Sequence, residues 1–222
     1  MESRANPQRT ASCVICVITD PVLAPGKDHL TIAREALAGG ADMIQLRDKS
    51  PDLRALLPQA REIRALCRRH GALFIVNDRV DLALLADADG AHVGQDDLPP
   101  EAARQLLGPH RILGISTHSQ EQAEAATRSG ADYIGFGPIF GTHTKATGYA
   151  PRGLSSLREV RAAVPVPILA IGGLTLENVA DTIRAGATAP AVISAVVAAP
   201  DIAEATRAFR TRILAARAGL RA

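Results

Sequence analysis

The sequence predicts a single (β/α)8 barrel whose active site lies at the C-terminal ends of its strands. Three observations carry that expectation. Four segments resemble one another, "AGGADMIQL" at Ala38, "DADGAHVGQ" at Asp87, "RSGADYIGFG" at Arg128 and "RAGATAPAVIS" at Arg184. They recur about every fifty residues, and a fixed period calls for a repeat architecture. Four further apolar runs, "CVICVITD", "ALFIVND", "RILGIST" and "PILAIGG", fall between them and make eight strand candidates. Helical patterns lie between and after the strands, and no G-x-G-x-x-G follows the first strand, so a closed barrel fits better than an open doubly wound sheet.

Residues 1–12, "MESRANPQRTAS", are polar, lack an apolar core like that of a signal peptide, and read as a flexible tail ahead of a catalytic barrel over 13–222. The first strand holds Cys13 and Cys16 at C-x-x-C spacing. In a strand, residues three apart point to opposite faces, so the pair is not expected to act as a redox or metal motif. Of the helices, "LRALLPQAREIRALCRRHG" is the clearest. Leu53, Leu56, Leu57, Ala60, Ile63 and Leu66 form one apolar stripe, with Arg61, Glu62, Arg64 and Arg68 on a solvated face. Each repeated corner places Gly, Ala or Asp between an Ala-rich helix and a strand, as a tight turn with positive φ requires.

The totals agree with a one-domain enzyme scaffold. The chain has 222 residues, a net charge of +2 and 47% hydrophobic residues. Charges of both signs are interspersed, which argues against a general nucleic-acid or membrane surface. No run reaches the roughly 18 apolar residues a membrane span needs. Three cysteines in a chain with no disulfide pattern suit a reducing compartment, so a cytoplasmic protein is expected.

Polar residues interrupt the apolar runs at one predicted rim. The strands end, in order, in Thr19 and Asp20, "QLRDK", "NDR", "HVGQDDLP", "ISTHS", "THTK", "IGGL" and "IS". Alternation in "IQLRDKS" puts Gln45, Arg47 and Lys49 on one face, with Leu46 and Asp48 on the other. Three long polar side chains on an inward face call for anionic partners, and Arg can chelate phosphate oxygens with its planar fork. Asp78 and Asp97 end neighbouring strands and form the hard-oxygen pair that Mg²⁺ prefers, although either could instead cap the helix that follows it. After strands seven and eight, Gly172, Gly173 and Ser194 fit a barrel's common phosphate nest. The pattern implies two anionic subsites, one cationic and metal-supported for a pyrophosphate, the other neutral for a monophosphate. Between them, "THTK" offers the hydroxyls of Thr142 and Thr144 and the charge of Lys145, on a glycine-flanked loop able to fold over the site.

These residues resemble the thiamine-phosphate synthase family, also called thiamine-phosphate pyrophosphorylase. The likeness runs from "VITD" through "GGADMIQLRDK", "VNDRVDLALLADADGAHVGQDDLP", "LGISTHS", "ADYIGFGPIFGTHTK" and "AIGGL" to "VISAV". It implies condensation of 4-amino-2-methyl-5-pyrimidinylmethyl diphosphate with 4-methyl-5-(2-phosphoethyl)thiazole, releasing pyrophosphate by a Mg²⁺-assisted dissociative substitution. By the same resemblance, Gln45, Arg47, Lys49, Asn77 and Lys145 hold the pyrimidine diphosphate, and Ser116 lies near the pyrimidine. Asp78 and Asp97 hold Mg²⁺, while Thr142, Thr144, Gly173, Ile193 and Ser194 receive the thiazole phosphate. Lys145, Ser116, Arg47 and Lys49 are the residues expected to act in catalysis. Two departures stand out: Cys16 replaces an aromatic common just before "ITD", and "GATAPAVIS" replaces G-A-D-G, placing Pro190 at the start of the last strand.

Two other classes remain open from the sequence. A thiazole tautomerase on the same barrel would use His118 as a general base and would need neither Lys49 nor the pair Asp78 and Asp97. A non-catalytic barrel that binds thiamine phosphates is the other. The partners expected are two small-molecule substrates, with neither nucleic acid nor membrane, and a homo-oligomer is compatible with the chain.

Overall fold

The computed structural model describes residues 7–50, 52–142 and 148–220. Its eight strands are β1 (Cys16–Thr19), β2 (Met43–Leu46), β3 (Leu73–Asn77), β4 (Gly90–Val93), β5 (Ile112–Thr117), β6 (Tyr133–Phe136), β7 (Ile168–Ile171) and β8 (Ala189–Val192). All pair in parallel in chain order, and β8 returns to β1 to close the barrel. Around them lie α1 (Pro7–Ala11), α2 (His29–Ala38), α3 (Leu53–His70), α4 (Val80–Leu85), α5 (Pro100–Leu107), α6 (Gln120–Arg128), α7 (Gly153–Ala163), α8 (Val179–Arg184), α9 (Ser194–Val197) and α10 (Ile202–Ala218). The expected (β/α)8 barrel is therefore the observed one.

Strand alternation divides the core in two. Inward residues such as Met43, Leu73, Ile75, Ile112 and Leu169 fill the barrel, and outward ones pack under the helices. α3 shows how a helix joins the outer layer. Asp52 caps its first turn through Ala55 N–H, and Gly71 ends it in the left-handed region at φ 67°. Leu56, Ala60, Ile63 and Leu66 are buried and Leu53 and Leu57 pack against the same core, as the stripe predicts. Burial of each Leu or Ile contributes roughly 1.5–3 kcal/mol.

The repeated Gly-Ala-Asp corner has a hydrogen-bonding cause. The residue just before or at the start of each even strand offers a side-chain oxygen to the first N–H groups of the preceding odd strand. Asp42 accepts from Val14 and Ile15 at 3.0 and 3.1 Å, Asp89 from Phe74 at 2.8 Å, and Asp132 from Leu113 at 2.8 Å. At the fourth corner Thr188 Oγ1 accepts from Ile168 N–H at 3.0 Å. Each aspartate also meets an arginine from a surrounding helix: Arg210, Arg64 and Arg104 at 2.6, 3.1 and 2.6 Å. These bonds satisfy strand-end donors that the barrel's stagger leaves without a ladder partner.

Three local expectations are corrected. Residues 7–11 of the anticipated tail form α1, because Thr10 is fully buried and Arg9 donates to Gly71 O and pairs with Asp89 at the N-terminal end of the barrel. Cys13 and Cys16 do not point to opposite faces. Cys13 precedes the ladder, strand alternation does not reach it, and both thiols enter the interior cluster. Burial pushes the Cys16 thiol well above its ordinary range, so neither a thiolate nor a soft metal site is favoured there. Pro190 is the second residue of β8 rather than its first. It is tolerated because β1 pairs only with Ala191 and Val192, beyond the position where the proline lacks an N–H.

Candidate active site

Two adjoining cavities open at the C-terminal ends of the strands. The deeper one is lined by Gln45, Arg47, Asn77, His92, Ser116 and Tyr133 among others. The second lies over β6 to β8 and takes in His118, Thr142, Gly173, Ile193 and Ser194. Ser116, Gly135, Ile171, Ala191 and Ile193 belong to both, so one wall separates and joins them.

The floor of the deeper cavity is a polar chain inside an otherwise apolar barrel. His92 is buried and bonds through Nδ1 to the Tyr133 hydroxyl at 3.0 Å and through Nε2 to Ser116 Oγ at 2.8 Å. Gln45, also buried, lines the same cavity, and burial opposes ionisation of the Tyr133 hydroxyl. Gln95 donates from Nε2 to the carbonyl of Ser116 at 2.5 Å. Gly114 makes room for this chain. A Cβ there would lie 2.2 Å from the Tyr133 ring and 2.5 Å from His92 Nδ1.

At the mouth, β2 ends at Leu46 and the next residues turn over the cavity. Arg47 donates from Nη1 to Asp20 Oδ2 at 3.0 Å, with both side chains mostly buried. Lys49 Nζ pairs with Asp78 in a short contact, and its own side chain remains 56% exposed, within reach of an entering anion. Asp78 adopts φ 63° and donates its N–H to His92 O at 2.7 Å. A left-handed conformation outside glycine is uncommon, tolerated by Asp, and often found at functional sites. Asp97 accepts from Gly94 N–H at 2.7 Å. Its carboxyl is held above the ordinary carboxylate range, first by burial and then by a hydrogen bond with Asp78.

The helix-capping alternative does not occur at either carboxylate. α4 and α5 begin at Arg79 and Pro99 as caps, without a side-chain cap bond. Two facing carboxylates, with one lysine alongside, form an all-oxygen donor set that fits a hard divalent cation. Among the described residues no group of three or more His, Cys, Asp or Glu could hold a metal ion.

Gly172 and Gly173 have φ of 95° and 65° and line the second cavity. Their smallness serves first a contact within the chain. A Cβ on Gly173 would fall 2.4 Å from Gly141 O, and one on Gly172 would fall 2.5 Å from Pro138 Cβ. The segment after β6 runs beside β7 through Ile139 N–H to Ile171 O at 2.8 Å and Phe140 N–H to Gly172 O at 3.0 Å. That anchoring carries Thr142 to the cavity edge. Thr144 and Lys145 lie outside the described residues. His118 forms part of the wall, its Nδ1 bonded to Gly137 O at 2.6 Å and its ring stacked 3.8 Å from that of Tyr149.

The structure thus brings Gln45, Arg47, Asn77 and Ser116 to one cavity, and Thr142, Gly173, Ile193 and Ser194 to the other, with Ser116 and Ile193 shared. Lys49, Asp78 and Asp97 form a connected group at the rim. Sequence reasoning passed over His92, Tyr133 and Asp20. A histidine at an inward position of an apolar strand was the signal for His92; Tyr133 has no comparable signal, since an aromatic in a strand ordinarily reads as core.

The profile of the thiamine monophosphate synthase family matches residues 15–196. A thiamine-phosphate synthase of Methanospirillum hungatei JF-1 is 51% identical over 197 residues, 89% of this chain and 96% of that protein. That of Chloroflexus aurantiacus is 49% identical over 197 residues, 89% of this chain and 91% of its own. The solved thiamine phosphate pyrophosphorylase of Pyrococcus furiosus superposes with a TM-score of 0.85 at 38% identity, covering 94% of this chain and 98% of the other. On the profile match and on identities near one half over most of its length, the chain belongs to the thiamine monophosphate synthase family.

Proposed function

We propose that the two cavities hold the two substrates of the synthase reaction side by side. The pyrimidinylmethyl diphosphate takes the deeper one and the phosphoethylthiazole the cavity over β6 to β8. The observation that carries this reading is a rim where Arg47 and Lys49 each face a carboxylate, over a chamber that holds Gln45, Asn77 and Ser116 and shares a wall with a glycine-lined one.

In this reading Gln45, Asn77 and Ser116 orient the aminopyrimidine, with His92 and Tyr133 fixing the Ser116 hydroxyl from behind. Arg47 and Lys49 bind the diphosphate, each already facing a carboxylate that keeps its charge at the mouth. Asp78 and Asp97 hold Mg²⁺, which when bound supplies positive charge to the leaving pyrophosphate. The methylene C–O bond breaks and its electron pair leaves with pyrophosphate, the electron-rich ring stabilising the cation. The thiazole nitrogen then gives its lone pair to the methylene carbon, forming the C–N bond and a thiazolium. No proton has to move in either step, so holding the reactants close and excluding water are the main tasks. Backbone around Gly173, with Ile193, Ser194, Thr142 and Thr144, receives the thiazole phosphate, and Lys145 adds its charge to the diphosphate.

The partners of this reading are the two small substrates, without nucleic acid, and the chain works in the cytoplasm. Among the described residues no helix is long and apolar enough to cross a membrane. The testing experiment is pyrophosphate release on mixing the substrates, with and without Mg²⁺. Release that needs both substrates and the metal, with thiamine phosphate as co-product, is expected. Binding of the thiazole phosphate with no release would overturn it.

A further inference from the structure

We infer that His29, which touches neither cavity, is a positioning residue for the diphosphate-binding loop; the inference rests on reading Arg47 and Lys49 as the pair that grips the diphosphate. Residues 47–50 have no regular secondary structure, so the sheet does not hold them. A buried chain of hydrogen bonds behind them does. Arg47 N–H donates to Thr19 Oγ1 at 3.4 Å, Thr19 Oγ1 meets His29 Nδ1 at 2.7 Å, and His29 Nε2 meets Asp48 Oδ2 at 3.0 Å. Asp48 lies between the two cations in sequence, and its bond to His29 turns it toward α2. Its other oxygen accepts from Ser50 N–H at 2.6 Å, so both sides of the turn are tied to one carboxylate.

The bonds run in one sense. Burial works against the charge on Asp48, but hydrogen bonds from Ser50 and His29 outweigh it and hold the carboxyl below its ordinary range. An ionised Asp48 only accepts, so Nε2 carries the imidazole proton. Burial lowers the His29 pKa and favours the neutral ring, whose Nδ1 then accepts from the Thr19 hydroxyl. The Thr19 oxygen is left to accept from Arg47 N–H. One ring thereby ties β1, α2 and the loop after β2, with its side chain only 4% exposed. It is not required as a helix cap, because Asp28 already caps α2 through Thr31 N–H at 2.8 Å. A loop held at its backbone presents Arg47 and Lys49 with less conformational entropy to lose when the diphosphate binds.

The test is a comparison of KM for each substrate in His29→Phe, His29→Gln and the wild type, with Arg47→Ala as reference. His29→Phe is expected to raise KM for the pyrimidine diphosphate about tenfold, as loss of a residue supporting binding groups does. KM for the thiazole phosphate should stay within about twofold, since uniform loss of folded enzyme would lower apparent kcat without selecting one substrate. His29→Gln, which keeps a donor for Asp48, should recover most of the loss. An unchanged pyrimidine diphosphate KM in His29→Phe, or equal rises for both substrates, would overturn the inference. Should His29→Phe not fold, Asp48→Ala reads the same selectivity: a selective rise supports the inference, and no rise or equal rises overturn it. If Arg47→Ala also leaves that KM unchanged, the reading of the cradle has failed and the inference falls with it. If Arg47→Ala raises it and the His29 variants do not, only the positioning role is lost.

Discussion

At Asp78 the backbone takes φ 63°, the side chain faces Lys49, and Asp97 carries a raised pKa beside it. Removing either carboxylate leaves the barrel's packing untouched, because neither belongs to its core. Asp78→Ala and Asp97→Ala are therefore expected to cut Mg²⁺-dependent turnover by about 100-fold or more while far-UV circular dichroism stays as in the wild type. Retained activity in either variant would remove that residue from the metal site. Gly114 poses the opposite case, a residue with no chemistry of its own. Gly114→Ala drives a methyl into Tyr133 and His92, and overpacking of this kind costs about 1–3 kcal/mol. Urea unfolding should show that loss, and turnover should fall with it as Ser116 is displaced. Normal turnover in a destabilised variant would separate the buried chain from catalysis.

The corners before β2, β4, β6 and β8 repeat because one hydrogen-bonding device serves four places. Its members differ in charge, since Asp42, Asp89 and Asp132 have an arginine partner and Thr188 offers a hydroxyl oxygen. Asp132→Ala leaves Leu113 N–H without its acceptor and Arg104 without its ion pair, and should cost about 1–3 kcal/mol in urea unfolding. Asp132→Thr copies the fourth corner and should cost clearly less. Equal losses would mean that the ion pair with Arg104, not the backbone bond, is the stabilising part. The Gly-Ala-Asp pattern was legible in the sequence as a turn; its bond to the preceding strand was not, because the partner lies on a strand some 15 to 28 residues earlier.

For the molecule as a whole, acid is expected to be destabilising through His29. Its folded pKa is lowered from 6.5 by burial, against the opposing pull of Asp48, Asp20 and Asp28. The unfolded chain then binds the proton more readily. The stabilising contribution is complete above about pH 6.5 and declines as the pH falls through the folded value. Asp48, whose pKa is lowered from 3.8, adds a second loss further into acid. Melting temperatures measured between pH 7.5 and 5.5 should fall in the wild type and fall less in His29→Gln, and parallel curves would count against the assignment. Closure of the barrel is the other property at this scale. α10 ties the entries to the first two strands and the last one together, with Arg210 on Asp42 and Gly40 O, and Arg217 on the carbonyls of Cys13 and Thr188.

Local rules suffice for much of this protein. Periods of 2 and 3.6, small residues at corners and a ring of polar strand ends depend only on neighbours in the chain, and they led to the barrel and to the polar rim at its C-terminal end, while Asn77, Ser116 and Ile193 entered through the family resemblance. Tertiary structure alone decided the rest. It put Cys13 inside with Cys16, buried Thr10 within a short helix, and gave Pro190 a place inside β8. It also joined Tyr133, His92 and Ser116, which come from three different strands, and set His29 between Thr19 and Asp48. The physical reason is common to these cases. Which hydrogen-bond partner a buried polar group finds depends on the stagger at which the barrel closes, and closure is a property of all eight strands together.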